Sequence, residues 1–286
     1  MKVRKAVIIA AGWGTRFLPI TRSLPKEMLP LVDRPLIQYS VEEALGSGIE
    51  QIIMVTARGK QALEDYFDRS AELEVFLEQK GDTERLKQAK ELSNLVNVSY
   101  IRQKEQMGLG HAILMAKDII GGEPFVVILP DDIIDSDVPS LKRMIEVYEQ
   151  YGGGVVAVER VSEENVRKYG IIEPKQVSER VYQILSLVEK PEPTQAPSRL
   201  GVVGRYILTP EIFDTIMVTP PGKGGEIQIT DALQLLLKQQ KLYAFELEGV
   251  RHDTGTPLGW LIANVAYALK RDDIGPELRE YLKKLP

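Results

Sequence analysis

The sequence predicts an α/β protein built on a Rossmann-like, doubly wound mixed sheet with a small antiparallel extension and C-terminal helices. Short apolar runs without alternation, typical of strands covered on both faces, alternate with helical patterns over about the first 160 residues. Parallel strands require helical crossovers of this kind. Strand-like runs between about residues 170 and 208 then follow one another with no helix between them, which indicates antiparallel or mixed pairing.

The first half of the chain opens with the apolar strand "KAVIIAA" and the helical segment "PLIQYSVEEALGSGI". In that helix Ile37, Val41 and Ala44 recur at helical spacing, and Gly46 and Gly48 are stop signals. The next predicted strands are "QIIMVTA", "NVSYIRQ", "PFVVILPDD" and "GGVVAVERV". The predicted helices between them are "KQALEDYFDR", the region 71–95 with a break at Gly81, "GLGHAILMAKDII" and "VPSLKRMIEVYEQY".

The second half of the chain changes character. Its strand-like runs are "YGIIEP", "RVYQILSLVEKP" and "RLGVVGRYIL", and its helical segments are "GGEIQITDALQLLLKQQ" and "TPLGWLIANVAYALKRD". The last segment carries one apolar stripe, which either completes the core or joins copies of the chain: Leu258, Leu261, Ile262, Val265 and Leu269. Because the sequence contains no convincing linker or internal repeat, residues 1–286 are expected to form one domain.

Composition and charge exclude several classes of function. The sequence has no cysteine, which removes thiol nucleophiles, zinc–thiolate sites and disulfides. The net charge of −5 provides no global basic field for nucleic acid, so local cations have to attract an anionic substrate. No segment reaches the roughly 18–20 apolar residues that span a bilayer, and the N-terminal apolar run is too short for a signal peptide. A cytoplasmic protein without a nucleic-acid or membrane partner is expected.

The first strand runs into the glycine loop "GWGTRFLPITRSLPKEMLP". This loop lacks the third glycine of a dinucleotide-binding fingerprint, since Phe17 stands there, and it is not a Walker A motif. Pro19 and Pro25 prevent a helix from starting directly after Gly14 and running through the segment. A nicotinamide cofactor is therefore not expected.

A phosphate cradle of a different kind remains, beside the plain alternative of a surface turn with solvated cations. Glycines let backbone N–H groups approach phosphate oxygens closely. Thr15 adds a hydroxyl, Arg16 a planar bidentate fork and Lys26 a compact point charge. These residue types suit an anion site directly after the first strand.

Two aspartates, Asp131 and Asp132, end the strand "FVVIL", at the edge where open α/β sheets bind ligands. Mg²⁺ prefers one or two carboxylates together with substrate phosphates and water, so one aspartate here and another from elsewhere would suffice. A strand-ending turn is the alternative, because Asp is common in turns. A metal site and a turn both remain open from these residues alone.

Two further pairs of residues are candidates for ligand contacts. Gln103 offers a donor and an acceptor, the pairing that a uracil or thymine imide edge requires, and Gly108 would let the backbone approach a base ring. Glu189 and Lys190 end a strand, where alternation would point their side chains to opposite faces, so they need not pair. The plain alternatives are a polar strand end, a helix-start glycine and a solvated sheet edge. His111, near a helix start, is expected to pack or cap.

The full string "GWGTRFLPITRSLPKEMLP" matches G-x-G-T-R-x-x-P-x-T-x-x-x-P-K-x-x-x-P at every specified position. It resembles the signature of the sugar-1-phosphate nucleotidylyltransferases, which implies the nucleotide-diphospho-sugar transferase fold. The blocks "LVDRPLIQYSVEEAL", "DYFDRSAELE", "QMGLGHAIL", "VVGRYILTPEIF" and "GGEIQITDAL" look like the bacterial UTP–glucose-1-phosphate uridylyltransferases. The resemblance extends from about Lys5 to Asn264.

This resemblance implies a role for each matching residue. It makes Arg16, Lys26 and Asp131 catalytic, and it places Mg²⁺ on Asp131 and on Asp253 of "RHDTGTP". The implied nucleotide-binding residues are Ala11, Gly12, Gly14, Thr15, Gln103 and Gly108, and the implied sugar-phosphate-binding residues are Gly170, Glu189, Lys190 and Gly204. Asp253 has an alternative role in N-capping, through Thr254 or Thr256, of the helix that follows Pro257.

The implied reaction joins UTP and α-D-glucose 1-phosphate to give UDP-glucose and pyrophosphate. The sugar phosphate oxygen is already anionic at neutral pH, so neither a general base nor a covalent intermediate is required, and His111 and His252 stay outside the catalytic set. Arg16 would face the β- and γ-phosphates and Lys26 the transferred phosphoryl group. Two alternatives stay open: a glucose-1-phosphate thymidylyltransferase, since thymine differs from uracil by one methyl, and a non-catalytic sugar-nucleotide-binding regulator.

The resemblance also divides the chain into functional parts. About residues 1–160 would form a nucleotide-binding half and about residues 161–256 a sugar-binding half. About residues 257–286 would form C-terminal helices that contact another copy in a homodimer or homotetramer.

Overall fold

The computed structural model describes residues 1–285, with the backbone alone at position 223. Within them, nine strands form one mixed sheet: β1 (Lys5–Ile9), β4 (Gln51–Thr56), β5 (Val98–Arg102), β6 (Phe125–Ile128), β8 (Gly154–Arg160), β9 (Gly170–Ser178), β10 (Val181–Glu189), β11 (Leu200–Leu208) and β12 (Leu242–Glu246). Two ribbons of two strands accompany the sheet: β2 (Pro30–Leu31) with β3 (Arg34–Pro35), and β7 (Asp132–Asp135) with β13 (Val250–Asp253).

The helices of the described residues are α1 (Leu36–Gly46), α2 (Gln61–Phe67), α3 (Ala71–Lys80), α4 (Thr83–Ser93), α5 (Leu109–Leu114), α6 (Lys117–Ile120), α7 (Ser140–Tyr151), α8 (Glu211–Val218), α9 (Ile229–Leu236), α10 (Pro257–Lys270) and α11 (Gly275–Leu282). The expected break at Gly81 separates α3 from α4, where its φ is 68°. The single helix expected after Gly108 is instead two short ones, because an i→i−3 hydrogen bond from Ala116 N to Ile113 O tightens the chain between α5 and α6.

The strand order in the main sheet is β5-β4-β1-β6-β11-β8-β12-β10-β9. The first four strands are parallel, as the alternation of strands and helices predicts, and the mixed sheet is confirmed. β9 and β10 form the antiparallel extension at one edge. β11 differs from expectation, because it lies in the middle of the sheet, antiparallel to both β6 and β8. Every residue of β11 is buried, as suits an apolar strand covered on both faces.

Helices cover both faces of the sheet. Alternation along β1 sends the side chains of Val7 and Ile8 to opposite faces. Val7 packs in a cluster with apolar residues of α5, α8 and α9, and Ile8 packs with those of α1, α2 and α7. Within residues 1–285, no helix has both the length and the apolar character needed to cross a bilayer.

The ribbon of β7 and β13 joins distant parts of the chain at the carboxyl end of β6. β7 begins just after β6, and its register pairs Asp132 with Asp253 at the end of β13. Thr254 reinforces this junction, because its N–H and hydroxyl both donate to the Asp131 carbonyl oxygen at 2.8 Å. The ribbon therefore places Asp131 and Asp253 at the same edge of the sheet.

Candidate active site

The glycine loop between β1 and β2 folds as three short 3₁₀ turns, Thr15–Phe17, Ile20–Arg22 and Lys26–Met28. No α-helix of the described chain follows β1 directly, as the two prolines predict. Gly14 has a φ of 67°, and a Cβ atom there would lie 3.1 Å from side-chain atoms of both Lys26 and Thr21. The loop therefore returns on itself and brings Lys26 back beside Gly14.

Two of the residues assigned to catalysis, Lys26 and Asp131, form an ion pair with 2.5 Å between Lys26 Nζ and Asp131 Oδ2. Burial opposes the charge on each group, but their mutual attraction and hydrogen bond outweigh it. The pKa of Asp131 is therefore lowered and that of Lys26 raised, with Glu27 contributing to the latter. Both side chains are charged at neutral pH, where substrate phosphates are anionic.

A buried pair that the sequence did not point to supports the turn that carries Lys26. Glu27, the next residue, is 1% exposed, and its Oε2 accepts a hydrogen bond of 2.6 Å from Lys60 Nζ in the loop before α2. Burial raises the pKa of Glu27 above its ordinary value, against the opposing charges of Lys60 and Lys26. The contact ties the turn to the loop after β4 and so limits where Lys26 can lie.

Asp253, Asp131 and Arg16 converge beside Gly255. A Cβ atom placed on Gly255 would lie 3.0 Å from Asp253 Oδ1, 3.1 Å from Asp131 Oδ2 and 3.3 Å from Arg16 Nη1. Arg16 Nη1 also donates to the Gly255 carbonyl oxygen at 3.2 Å. Two carboxylates border one point beside the Arg16 guanidinium, and Mg²⁺ prefers one or two carboxylates together with substrate phosphates and water, so this donor set fits the ion.

The alternative for Asp253 was N-capping of α10 through Thr254 or Thr256, and Thr256 does form this cap. Thr256 is the N-cap of α10, and its hydroxyl oxygen accepts a hydrogen bond of 3.1 Å from Gly259 N. Asp253 Oδ1 instead accepts a hydrogen bond of 3.0 Å from Gly255 N. That bond orients the carboxylate and leaves Asp253 Oδ2 for other partners.

A cavity of about 370 Å³, called the nucleotide cavity below after the residues expected at the base, lies at the carboxyl ends of β1, β5 and β6. All four residues expected at the base line it: Ala11, Gly12, Gln103 and Gly108. Lys26 and Asp131 also line it, and Trp13 lines its mouth, since 68% of that residue is exposed. Gly14 and Thr15, which were expected to contact the triphosphate, line neither this cavity nor the adjacent one.

Gly108 cannot carry a side chain in this fold. Its φ is 93°, and a Cβ atom there would lie 2.7 Å from Glu226 Cβ and 3.0 Å from Ile227 N. Ile227 N–H donates to Met107 O at 2.8 Å, and Gly110 N–H donates to Ile227 O at 2.9 Å. The segment before α9, from the "GGEIQITDAL" block, therefore holds the glycine against the cavity.

A second cavity, of about 270 Å³, adjoins the nucleotide cavity and shares Asp131 with it, and is called the sugar cavity below after the residues expected at the sugar phosphate. Its lining includes all four residues expected at the sugar phosphate, Gly170, Glu189, Lys190 and Gly204, together with Arg16 and Asp253. Glu189 and Lys190 do pair, with 3.0 Å between Lys190 Nζ and Glu189 Oε1. Alternation does not separate them, because β10 ends at Glu189 and Lys190 has a φ of 45°.

The two glycines of the sugar cavity also allow close packing. A Cβ atom on Gly170 would lie 2.6 Å from Thr230 Oγ1, and one on Gly204 would lie 2.5 Å from Asp132 Oδ2. Gly204 N–H donates to that carboxylate at 2.7 Å. Both glycines are therefore required by the walls of the cavity.

A buried charge network lies behind the sugar cavity. Arg251 donates from Nε to Asp132 Oδ1 at 2.8 Å and from Nη1 to Glu159 Oε2 at 2.9 Å. Arg205, 1% exposed, donates from Nη2 to the Asp132 carbonyl oxygen at 2.8 Å and pairs with Glu43. Burial raises the pKa of Asp132 against these cations. An arginine inside the apolar run "RLGVVGRYIL" was the one local signal of this network.

The two histidines differ in their surroundings. His252, on β13, packs edge-on against Tyr267 with 5.8 Å between ring centroids, and burial lowers its pKa. His111, on α5, instead contacts Gln103, which lines the nucleotide cavity, with 2.9 Å between His111 Nδ1 and Gln103 Nε2. His111 is therefore in contact with a residue expected to bind the base.

The chain belongs to the nucleotidyl transferase family, whose family model matches residues 5–269. A relative from Staphylococcus saprophyticus subsp. saprophyticus, named UTP–glucose-1-phosphate uridylyltransferase 2, is 50% identical over 99% of this chain and 98% of its own length. A UTP–glucose-1-phosphate uridylyltransferase from Staphylococcus epidermidis is 48% identical over 99% of each chain. The resemblance seen in the sequence is thereby confirmed, including its uridylyltransferase branch.

Solved structures agree with this assignment. A UDP-glucose pyrophosphorylase complexed with UDP-glucose is 48% identical and superimposes with a TM-score of 0.86 over 94% of this chain and 100% of its own. A UTP-bound UGPase from Acinetobacter baumannii is 40% identical, with a TM-score of 0.92 over 99% of this chain and 100% of its own. The fold class predicted from the sequence is confirmed.

Proposed function

We propose that this enzyme transfers the uridylyl group of UTP to α-D-glucose 1-phosphate, giving UDP-glucose and pyrophosphate. The observation that carries the proposal is the Lys26–Asp131 pair at the boundary of two adjoining cavities, one lined by base-binding residues and the other by sugar-phosphate-binding residues. The names of the relatives favour this reaction over thymidylyl transfer. The complete set of Arg16, Lys26, Asp131 and Lys190 speaks against a binding protein without turnover.

The reaction balances without proton transfer. An anionic oxygen of glucose 1-phosphate forms a bond to the α-phosphorus of UTP, and the bond from that phosphorus to the pyrophosphate oxygen breaks. The main obstacle is repulsion between two polyanions that must lie in line. Lys26 offsets the charge at the transferred phosphoryl group, and Arg16 that of the β- and γ-phosphates. Gly14 and Thr15 would serve the triphosphate through backbone geometry and a hydroxyl, beside Arg16.

Asp131 and Asp253 are the residues that would hold Mg²⁺. The ion supplies positive charge to phosphate oxygens when it is bound. The neighbouring bond from Gly255 N fixes the Asp253 carboxylate, and the bonds from Thr254 fix the backbone of Asp131. The protein therefore contributes two oriented carboxylates and leaves the remaining positions to substrate and water.

The sugar cavity would bind glucose 1-phosphate through Lys190 and Glu189. Lys190 Nζ would hold the phosphate, and Glu189 would accept hydrogen bonds from sugar hydroxyls. The backbone at Gly170 and Gly204 would close around the hexose. We propose that the halves at about 1–160 and 161–256 act together in one domain, since β11 of the second half pairs with β6 of the first.

The exposed face of α10 would join copies of the chain in a homodimer or homotetramer. The stripe does not complete the core, because four of its residues are more than a third exposed: Leu258, Leu261, Ile262 and Val265. A contiguous apolar face of this kind is typical of a contact surface. Light scattering after gel filtration should give a mass of two or four chains for the wild type and one chain for Leu261→Asp. A monomeric wild type would contradict this assignment.

Pyrophosphate release tests the reaction directly. UTP, dTTP, CTP and ATP are each combined with glucose, galactose and N-acetylglucosamine 1-phosphates in the presence of Mg²⁺. The highest kcat/KM is expected for UTP with glucose 1-phosphate. A higher value for dTTP would favour the thymidylyltransferase alternative, and tight binding of UDP-glucose without pyrophosphate release would favour the regulator.

A further inference from the structure

Gln103 in the nucleotide cavity is held by two acceptors. The residue is 4% exposed, and its Nε2 lies 3.4 Å from Gly108 O and 2.9 Å from His111 Nδ1. A carbonyl oxygen can only accept, so the amide atom that faces Gly108 is the nitrogen. With the amide in this orientation, the second hydrogen of Nε2 points to His111 Nδ1, which acts as the acceptor in the tautomer that carries its hydrogen on Nε2.

This arrangement leaves Gln103 with one group for a ligand. Both hydrogens of Nε2 are used within the protein, and no donor in the described part of the chain is bonded to Oε1. An amide that is free to rotate offers either a donor or an acceptor to a base, whereas this one offers an acceptor. Uracil and thymine present one donor on the pairing edge, N3–H. Cytosine presents a lone pair at N3 in the same place.

We infer that His111 is a positioning residue that sets base specificity, by holding the Gln103 amide so that Oε1 faces the nucleotide. The inference rests on the proposed function and extends it to the means by which UTP is chosen over CTP. In the pose that puts N3 opposite Oε1, uracil gains a hydrogen bond and cytosine meets two opposed lone pairs. Discrimination of this kind depends on an unfavourable contact with the wrong ligand as much as on a favourable one with the right ligand.

His111 is the stronger of the two anchors. The bond to Gly108 O is long at 3.4 Å, whereas the contact with His111 Nδ1 is 2.9 Å. Without His111, only the long bond to Gly108 O opposes rotation of the amide by half a turn, which would present Nε2 to cytosine N3. Asparagine at position 111 would keep an acceptor, because its Oδ1 stands where Nδ1 stands on histidine. Leucine and phenylalanine would remove it.

The experiment compares His111→Leu and His111→Phe, which lack the acceptor, with His111→Asn, which retains it. Measurements are kcat/KM for UTP, dTTP and CTP with glucose 1-phosphate, and dissociation constants for UTP and CTP by calorimetry. The ratio of kcat/KM for UTP to kcat/KM for CTP should fall by about tenfold or more in the leucine and phenylalanine variants. In these variants the amide is no longer held to favour uracil N3–H, and its repulsion with cytosine N3 is relieved. The same ratio should stay within about twofold of the wild type in His111→Asn. The ratio of UTP to dTTP should be unchanged in every variant.

The inference would be overturned if His111→Leu lowered kcat/KM for UTP and CTP equally, so that the ratio of the two kcat/KM values stayed at the wild-type value. A fall in the ratio for His111→Asn as large as that for His111→Leu would also overturn it. Thermal unfolding of each variant shows whether it is folded. If His111→Leu does not fold, His111→Phe takes its place as the variant without the acceptor. Wild-type turnover with UTP tests the proposed function separately, since the calorimetric ratio reports on base choice in a protein with or without turnover.

Discussion

The nucleotide cavity and the sugar cavity share Asp131, but they are built from different chemistry. The nucleotide cavity is lined largely by glycine backbone, apolar groups and the amides of Gln103 and Gln106. The lining of the sugar cavity holds more charged side chains than that of the nucleotide cavity: Arg16, Asp131, Asp132, Lys168, Glu189, Lys190, Arg251 and Asp253. A base is selected by the pattern of its donors and acceptors, whereas a sugar phosphate is held by charge.

Because of this difference, a substitution should have different consequences in the two cavities: altered base recognition in one and lower stability of the fold in the other. Neutral groups select by orientation, so a rotated amide is enough to change what the nucleotide cavity recognises. Charged groups depend on one another, because an unpaired buried charge is costly to the whole fold. Lys26 and Asp131 stand at the boundary, where the proposed reaction brings both substrates together.

The largest effect should follow from a change at this boundary. Lys26→Ala should lower kcat by about two or more orders of magnitude, because it removes a charge that stabilises the transferred phosphoryl group. Asp131→Ala should do the same. Pyrophosphate release at saturating substrates and Mg²⁺ measures this, with Lys2→Ala, an exposed surface change, as the control. Near-normal turnover of either boundary variant would remove that residue from the catalytic set.

Removing one partner from the charge network behind the sugar cavity should lower the free energy of unfolding of the protein. Arg251→Met leaves the Asp132 carboxylate buried without its guanidinium partner, and the free energy of unfolding should fall by about 3 kcal/mol. Arg160→Met, which breaks the exposed pair with Glu246, should cost less than about 1 kcal/mol. Urea unfolding compares the two variants. Equal costs would mean that burial of the network contributes nothing.

Variants in the two cavities should affect the KM values of different substrates. Gln103→Ala should raise KM for UTP about tenfold, as expected for one lost buried hydrogen bond, and leave KM for glucose 1-phosphate within about twofold. Lys190→Ala should have the reverse effect, because it removes a charge from the sugar cavity. Initial rates with each substrate varied in turn give both constants. If both variants raise both KM values equally, the division between the cavities is wrong.

Trp13 should report on the nucleotide cavity alone. The protein has two tryptophans, and Trp260→Phe leaves Trp13, at the mouth of that cavity, as the single indole emitter. Titration with UTP should change its fluorescence, because the nucleotide alters the solvent around the ring, whereas glucose 1-phosphate should leave it nearly constant. A response to the sugar phosphate of equal size would place Trp13 between the cavities.

The smallest effect should be the pH dependence of the boundary pair near neutrality. The pKa of Asp131 is lowered from its ordinary value of 3.8 and that of Lys26 raised from 10.5. The carboxylate's contribution to stability is complete above its unfolded-state pKa and is lost as pH falls through the folded-state value. The stability difference between wild type and Lys26→Met should therefore be constant between about pH 6 and 9 and shrink below about pH 4. A marked slope near pH 7 would show that another group titrates with the pair.

The sequence predicts those features that a local pattern decides. Apolar runs, glycine and proline predict the parallel strands, the break at Gly81 and the absence of an α-helix directly after Gly14 in the described chain. Strand pairing between distant segments has no local pattern, so the central position of β11 is visible only in the structure.

In the candidate site, too, local motifs predict some residues, whereas contacts between distant segments are visible only in the structure. The signature and its resemblance identify Lys26, Asp131 and the residues at the base. The pairs of Glu27 with Lys60 and of Arg251 with Asp132 join residues that are far apart in sequence. The pairing of Glu189 with Lys190 depends on one left-handed residue after the end of a strand, which strand alternation does not predict.

The central position of β11 has a consequence for synthesis of the chain. β6 and β8 leave the ribosome long before residues 200–208, yet each lacks its neighbour until those residues arrive. The edges of β6 and β8 then stay open during translation, and open strand edges favour pairing with other chains. The chain up to about residue 160 therefore lacks the strand that pairs with β6 and β8, and a fragment that ends there should need chaperones rather than fold alone.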